Sequence, residues 1–514
     1  MAVLARIASV LDPVGTPDRV MSGQVALFRH IFTLGVAQLV SLVGAVVVTI
    51  LMPRYLGDVN LGKLAYAGAL TSLFGLVADL GTMTYLTKHV ARDSTDAGRL
   101  TVAALLTRIP LGVGAALLTI AVVYLGGDDE ITRAIVFVTA IAMILQSLAN
   151  TLGAALQGLQ RMRALAVSMV LGKVVYAVLV AALLLAGFGP VEVALASLFS
   201  SVVGIGVGAI AIRDLVLRAR GIRLDTVRQV MFGGVPFFVW QASLVVYGQI
   251  DFVLLAQLTN DAVVGWYAAA YRIIMIPAFF PTTVVTAAFP ALAAAAKDPD
   301  TFAGIARRCI QVLALTTIPM AFGILVLANR IVDLFGYPAV FVNSVGPIVL
   351  LSLHMPLAGI DTVLGTMLTA LDRQRSWAIT GIAAAIINPA LNLIAIPFTQ
   401  TVFANGALGA AAMTTVTEVF MCCVGLALLP RGIIDRRTYL YVARSFAAAA
   451  VMAVIVAMLD GGGLGLQIGA GIVTYAVAAV ALRIVSPQEL REVGRFVLRR
   501  STVTAPLPTE NAAG

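Results

Sequence analysis

Charge is scarce in this chain: 11% of its 514 residues are Asp, Glu, Lys or Arg, against 60% hydrophobic, and the mean hydropathy is +1.00. Soluble domains run near 25% charged, so this scarcity excludes a soluble globular protein. Cysteine is also rare. Cys309, Cys422 and Cys423 lie in apolar runs with no spacing that suits metal ligands or a disulfide framework, and they read as small hydrophobes. His89 and His354 are isolated, which gives no sign of a metal site. Long polar stretches are missing as well: the longest internal ones fall at 218–229 and 296–308, too short for a separate soluble domain. No activated nucleophile, phosphate-cradling loop or metal-ligand cluster stands out, so the reading is a non-enzyme that needs neither cofactor nor metal.

Long apolar runs take the place of these features. They are uninterrupted rather than alternating, which selects helices over barrel strands, and each crossing needs about 20 residues. The expected fold class is an all-α polytopic membrane protein of about fourteen transmembrane helices. Its expected organisation is a cytoplasmic segment at 1–30, six spans at 31–217, a linker at 218–232, six spans at 233–429, two more at 430–485 and a basic tail at 486–514. Span two is expected as one helix over 63–87, span eight over 263–295 and span ten over 344–370.

The formal net charge of +9 poses the question of nucleic-acid binding, and topology answers it. Of the 34 lysines and arginines, 27 fall on the side of the termini, four on the other side, and Arg108, Lys173 and Arg272 within spans. The positive-inside rule then puts both termini in the cytoplasm, and no nucleic-acid partner is needed.

Arg272 marks the most informative stretch, residues 249–290. If its span starts near Val263, it lies about 13 Å deep, close to the middle of a hydrocarbon core roughly 30 Å thick. An arginine there is costly and has either a polar cavity or a buried carboxylate such as Asp251 for company. Arg108 beside Pro110 stands between a cavity role and interhelical hydrogen bonding, while Lys173 can also snorkel to an interface. The acids within or at the ends of spans are Asp79, Asp251, Asp361 and Glu418. An unpaired carboxylate out of water favours its neutral form, so such a group can load a proton or help to hold sodium; the alternative is pairing that fixes helix packing. Pro277 and Pro281, one turn apart, are hinge candidates or static kinks. Asn388 and Asn392 share a face and read as interhelical glue.

At an offset of 203 residues, 56–67 and 259–270 share a polar turn, a glycine (Gly62, Gly265) and an Ala/Tyr cluster. Six spans separate them, which suggests two parallel six-helix lobes around an axis normal to the membrane.

These residues resemble a known family. The Arg54-Tyr55-Leu56-Gly57 turn with Gly62, Ala78-Asp79-Leu80-Gly81, the Gly158–Arg163 turn, Gly265 with Tyr267 and Ala270-Tyr271-Arg272, Phe289-Pro290-Ala291-Leu292, and Asn388-Pro389-Ala390-Leu391-Asn392 are similar to the polysaccharide transporter branch of the MOP superfamily, the Wzx-type oligosaccharide-lipid flippases. The likeness runs from Phe28 to about Val485. It implies two six-helix lobes around a central cavity, and alternating access that moves a polyprenyl-linked glycan from the cytoplasmic to the outer leaflet for cell-surface polysaccharide synthesis. Membrane lipids, H+ or Na+ as coupling ion, and glycan-assembly proteins are the partners it implies. In such a protein Arg272, Arg108 and Lys173 are candidates for the anionic head group, because arginine holds phosphate oxygens in a fork. Asp361, Glu418, Asp79 and Asp251 are the ion-coupling candidates. A departure is the small aromatic content, 7%, which identifies no stacking platform for sugar rings. The alternative reading is a MATE-like antiporter of small cationic solutes, which would favour an acidic cavity.

Overall fold

A computed structural model describes residues 23–484 apart from 218, 220–222, 460 and 462, and its regular structure is helical. The expectations for most of the N-terminal segment and for the tail at 486–514 lie outside these residues. In chain order the helices are α1 (Gly23–Asp79), α2 (Thr82–Arg92), α3 (Ala97–Leu125), α4 (Glu130–Gly158), α5 (Met162–Leu185), α6 (Pro190–Leu217), α7 (Leu224–Leu258) and α8 (Asp261–Met275). There follow α9 (Phe279–Ala294), α10 (Pro299–Leu334), a 3-10 turn (Ala339–Ser344), α11 (Val345–Ala370), α12 (Gln374–Phe403), α13 (Gly406–Leu428), α14 (Arg436–Met458) and α15 (Leu464–Ala481).

Helix is the local answer because apolar surroundings leave backbone groups no partner except their own chain. Short connections begin the next helix with a capping side chain. Asp129, Asn260, Asp298 and Asp435 each accept the backbone N–H three residues on, from Thr132, Val263, Thr301 and Thr438.

Twelve helices are individually long and apolar enough to cross a membrane, and α8 with α9, bent by 43°, make one more. Since α1 is two helices that meet at Gly57 (φ 73°, ψ −179°), the described residues hold the fourteen spans expected, and the chain is a multi-pass membrane protein.

Two spans differ from the sequence reading. Span two is not one helix over 63–87: it breaks at Leu80 (φ 44°) and Gly81 (φ 71°), and α2 starts afresh. Span eight is likewise two helices, with Pro277 in the break and Pro281 in the first turn of α9, where a proline without an N–H costs least.

Helices α1 to α6 pack chiefly among themselves and α9 to α13 do the same, α7 and α8 bridge the two sets, and α14 lies outside against α10 with α15 against α14. The two sets meet where α1 lies along α7 and α8 and where α2 and α3 meet α7. The largest core cluster sits at this seam: Val48, Leu61, Leu255, Val264 and Ala269 are buried there.

Two glycine contacts hold the seam at opposite ends. At the end poor in arginine and lysine, a Cβ on Gly62 would lie 1.8 Å from the Asp261 carbonyl oxygen, and one on Gly265 would lie 2.0 Å from that of Asp58. Asp58 and Asp261 are themselves one repeat apart, so the contact is reciprocal. Trp266 Nε1 donates to Asp58 Oδ2 across it at 3.0 Å. At the basic end, a Cβ on Gly81 would meet the Gly234 carbonyl oxygen at 2.2 Å, and one on Gly234 the Leu80 carbonyl oxygen at 2.4 Å. Backbones approach this closely only where neither has a side chain in the way.

Candidate functional site

Between the two glycine contacts lies a cavity of about 640 Å³, lined from each of α1 to α8. One wall is polar without being charged: Thr71, Gln146, Asn150, Ser197, Ser200 and Gln241 face it. These groups are positioned by the helix backbones. Ser200 donates to the Gly172 carbonyl at 2.8 Å, Ser201 to Gln146 Oε1 at 3.2 Å, and Gln146 to Asn150 Oδ1 at 2.9 Å. Such a wall offers donors and acceptors to hydroxyls and amides.

Arg272 lies in the last turn of α8 and lines this cavity. It also lines a second one of about 320 Å³ between α1, α5 and α8, where the walls are mostly apolar: Leu42, Ala45, Val48, Met275 and Ile276. Tyr176 belongs to both, and Lys173 lines the second. No carboxylate among the described residues pairs with Arg272, so the Arg272–Asp251 pairing weighed from the sequence is not formed. Arg272 therefore presents a charge at the junction of a polar and an apolar space.

Arg108 and Asp79 line the same cavity, but Arg108 is held by partners of its own. It is buried, its guanidinium bonds Asp79 Oδ1, and it donates to Thr82 Oγ1 at 3.1 Å and to the Ser147 carbonyl at 2.8 Å. These bonds tie the broken end of span two to α3 and α4. Asp79 also takes the Met83 N–H at 3.2 Å, which caps the restart of the helix after the break.

Asp251 is the hub of a separate network. Its carboxylate accepts from Tyr267 at 2.8 Å, from Thr414 at 2.7 Å and from Asn392 at 2.7 Å, and Asn392 also donates to Asn388 Oδ1 at 3.1 Å. Asn392 is thus interhelical glue, as read, whereas Asn388 bonds only Asn392 on its own helix. A third group lies farther along α11 and α13. Tyr247 donates to Glu418 Oε2 at 2.6 Å, His354 Nδ1 lies 3.7 Å from the same oxygen, and Asp361 is on the same helix as His354. In the sequence His354 reads as isolated. The available signal was its spacing from Asp361, seven residues or about two turns, which puts both on one helix face.

Comparison with known proteins agrees with this architecture. The profile of the polysaccharide biosynthesis protein family matches residues 27–295. A probable flippase, AglR of Haloferax volcanii, is 25% identical over 214 residues, which are 41% of this chain and 43% of that protein, so the match spans less than half of the relative's length. Among solved structures, the lipid II flippase MurJ in an inward closed conformation superposes with a TM-score of 0.70 at 14% identity, over 87% of this chain and 98% of that one. An inward-facing multidrug resistance MATE transporter of the MOP superfamily gives 0.59 at 18% identity, over 82% and 97%. With more than half of its residues in the family match, the chain belongs to the polysaccharide biosynthesis protein family.

Proposed function

We propose that this protein is a flippase that carries a polyprenyl-linked oligosaccharide from the cytoplasmic to the outer leaflet of the cell membrane by alternating access, without making or breaking covalent bonds. The observation that carries the reading is the position of Arg272 between a polar cavity and an apolar one. A lipid-linked glycan has the same three parts in the same order: a sugar chain that needs hydroxyl partners, an anionic phosphate or diphosphate, and a tail that stays in apolar surroundings. Arg272 takes the phosphate oxygens, the Ser/Thr/Asn/Gln wall takes the sugars, and the cavity between α1, α5 and α8 takes the start of the tail. Lys173, in that second cavity, adds a second positive charge near the head group. Helices α1 to α6 and α7 to α13 are the two moving lobes, joined by the segment at 218–232, with both termini cytoplasmic. The bend at Pro277 and Pro281 is the hinge. Gradient coupling by H+ or Na+ falls to Asp251, Asp361 and Glu418, because Asp79 is committed to Arg108.

The test is transbilayer movement of a fluorescent polyprenyl-diphosphate oligosaccharide in proteoliposomes. Arg272→Ala should lower the rate at least about a hundredfold, the order lost with a desolvated charge-assisted pair of about 3 kcal/mol. Arg272→Lys should keep part of it. Equal rates in the native and alanine proteins would remove Arg272 from the head-group site. No movement in the native protein, with uptake of small cations instead, would favour the MATE-like reading.

A further inference from the structure

The hydroxyls on the wall of the Arg272 cavity turn their hydrogens away from it. Each serine and threonine in the lining donates to a helix carbonyl. Thr71 bonds Ala67 at 2.8 Å, Thr139 bonds Ile135 at 2.9 Å, Ser197 bonds Ala194 at 2.6 Å and Ser200 bonds Gly172 at 2.8 Å. Ser72, Ser147 and Ser201 do the same. A carbonyl oxygen cannot donate and a hydroxyl has one hydrogen, so the direction of every one of these bonds is fixed. What the hydroxyls offer the cavity is lone pairs. The donors left to the wall are the Tyr176 hydroxyl and the carboxamides of Gln146, Asn150 and Gln241, and Gln146 already spends one hydrogen on Asn150.

Charge is as sparse as donors. Arg108, Asp79 and Arg272 are the charged residues in the lining among the described residues, and Arg108 and Asp79 hold each other. That leaves Arg272, which the flippase reading gives to the phosphate.

We infer that the sugars next to the phosphate are neutral, bearing hydroxyl or acetamido groups, and that this cavity rejects acidic sugars such as uronic acids. The inference rests on the flippase reading and narrows its substrate class. A sugar hydroxyl or acetamido N–H donates to the lone pairs that the wall presents. A carboxylate can only accept; here it would meet other oxygens and no free cation while losing part of its hydration, which is costly for a charge. An ammonium sugar would also lack a counter-charge, since Asp79 is taken. The cavity of about 640 Å³ falls in the range that encloses a drug-sized ligand. The restriction therefore acts on roughly the first two or three sugars and not on the whole glycan.

The test compares two fluorescent polyprenyl-diphosphate trisaccharides in proteoliposomes without a membrane potential. They are alike except that one carries hydroxymethyl groups where the other carries carboxylates. The native protein should move the neutral lipid at least about tenfold faster than the acidic one. Methyl esterification of the carboxylates removes the charge with little change of shape, and it should restore most of the rate. Gln241 is exposed on the wall, so Gln241→Lys adds a cation there and should lower the ratio of neutral to acidic rates by about threefold. Equal rates for the neutral and acidic lipids, or an ester as slow as the acid, would overturn the inference and leave the flippase reading standing. An unchanged ratio in a Gln241→Lys protein that still moves the neutral lipid would also overturn it, because the discrimination would then lie outside this wall. If none of the three lipids moves, the flippase reading fails and the inference goes with it.

Discussion

Replacing Gly62 with leucine is expected to abolish transport and to hold the arginine-poor end of the cavity open. The Cβ alone would lie 1.8 Å from a backbone oxygen of Asp261, and that oxygen belongs to the first turn of α8 and has no rotamer to escape by. The contact yields only if α1 and α8 part. Overpacking in a fixed environment costs about 1–3 kcal/mol, and a bias of about 2 kcal/mol between two states shifts their ratio roughly 30-fold. The opposite change, Gly234→Leu, acts on the basic end, where its Cβ would lie 2.4 Å from the Leu80 oxygen. It should favour opening on that side. Both are measured with Ser197→Cys on the cavity wall, in a chain whose exposed native thiol, Cys423, is replaced by serine. Impermeant maleimide added from the outer side should react at least about tenfold faster in Gly62→Leu than in the parent, and no faster in Gly234→Leu. Gly323→Ala, where nothing lies within 4 Å of the new Cβ, serves as the control. Unchanged labelling and transport in Gly62→Leu would mean that the two helices do not separate during the cycle.

The two arginines should fail in different ways. Arg108→Ala leaves Asp79 without its cation and removes the bonds to Thr82 and Ser147, and breaking a buried pair from one side costs about 3–5 kcal/mol. Thermal unfolding in detergent should therefore begin well below that of the native protein. Adding Asp79→Asn should recover part of the loss, since the stranded charge is the larger penalty. Arg272→Ala removes no bond among the described residues and should unfold close to the native temperature while losing transport. If Arg108→Ala unfolds like the native protein, the network around span two is not what holds that helix break.

Much of this was legible beforehand for a simple reason: a charge inside an apolar run has to be accounted for wherever it sits. Arg272, Arg108, Asp79, Asp251, Asp361 and Glu418 stood out on that ground, and the offset of Gly62 and Gly265 pointed to the seam. Partners were harder to see. Tyr267 and Thr414, which hold Asp251, are ordinary members of their runs, and Thr414 is 163 residues from its partner in the chain. Nothing local marks a threonine that bonds so far away. The break at Leu80 and Gly81 is not legible either, because hydropathy continues through it; the bonds of Arg108 and Asp79 and the close approach of Gly234 at that point are tertiary facts.

The reciprocal contact of Gly62 and Gly265 has the form of an isologous interface, in which the same patch serves on both sides of a two-fold axis. Here the two copies of the patch lie on one chain. A six-helix half produced by itself would carry a patch complementary to its own twin, and two such halves would be expected to associate with each other through it. Within the full chain the same relation ties the two glycines together: a side chain gained at either one is resisted by the backbone next to the other, so neither half is free to drift alone.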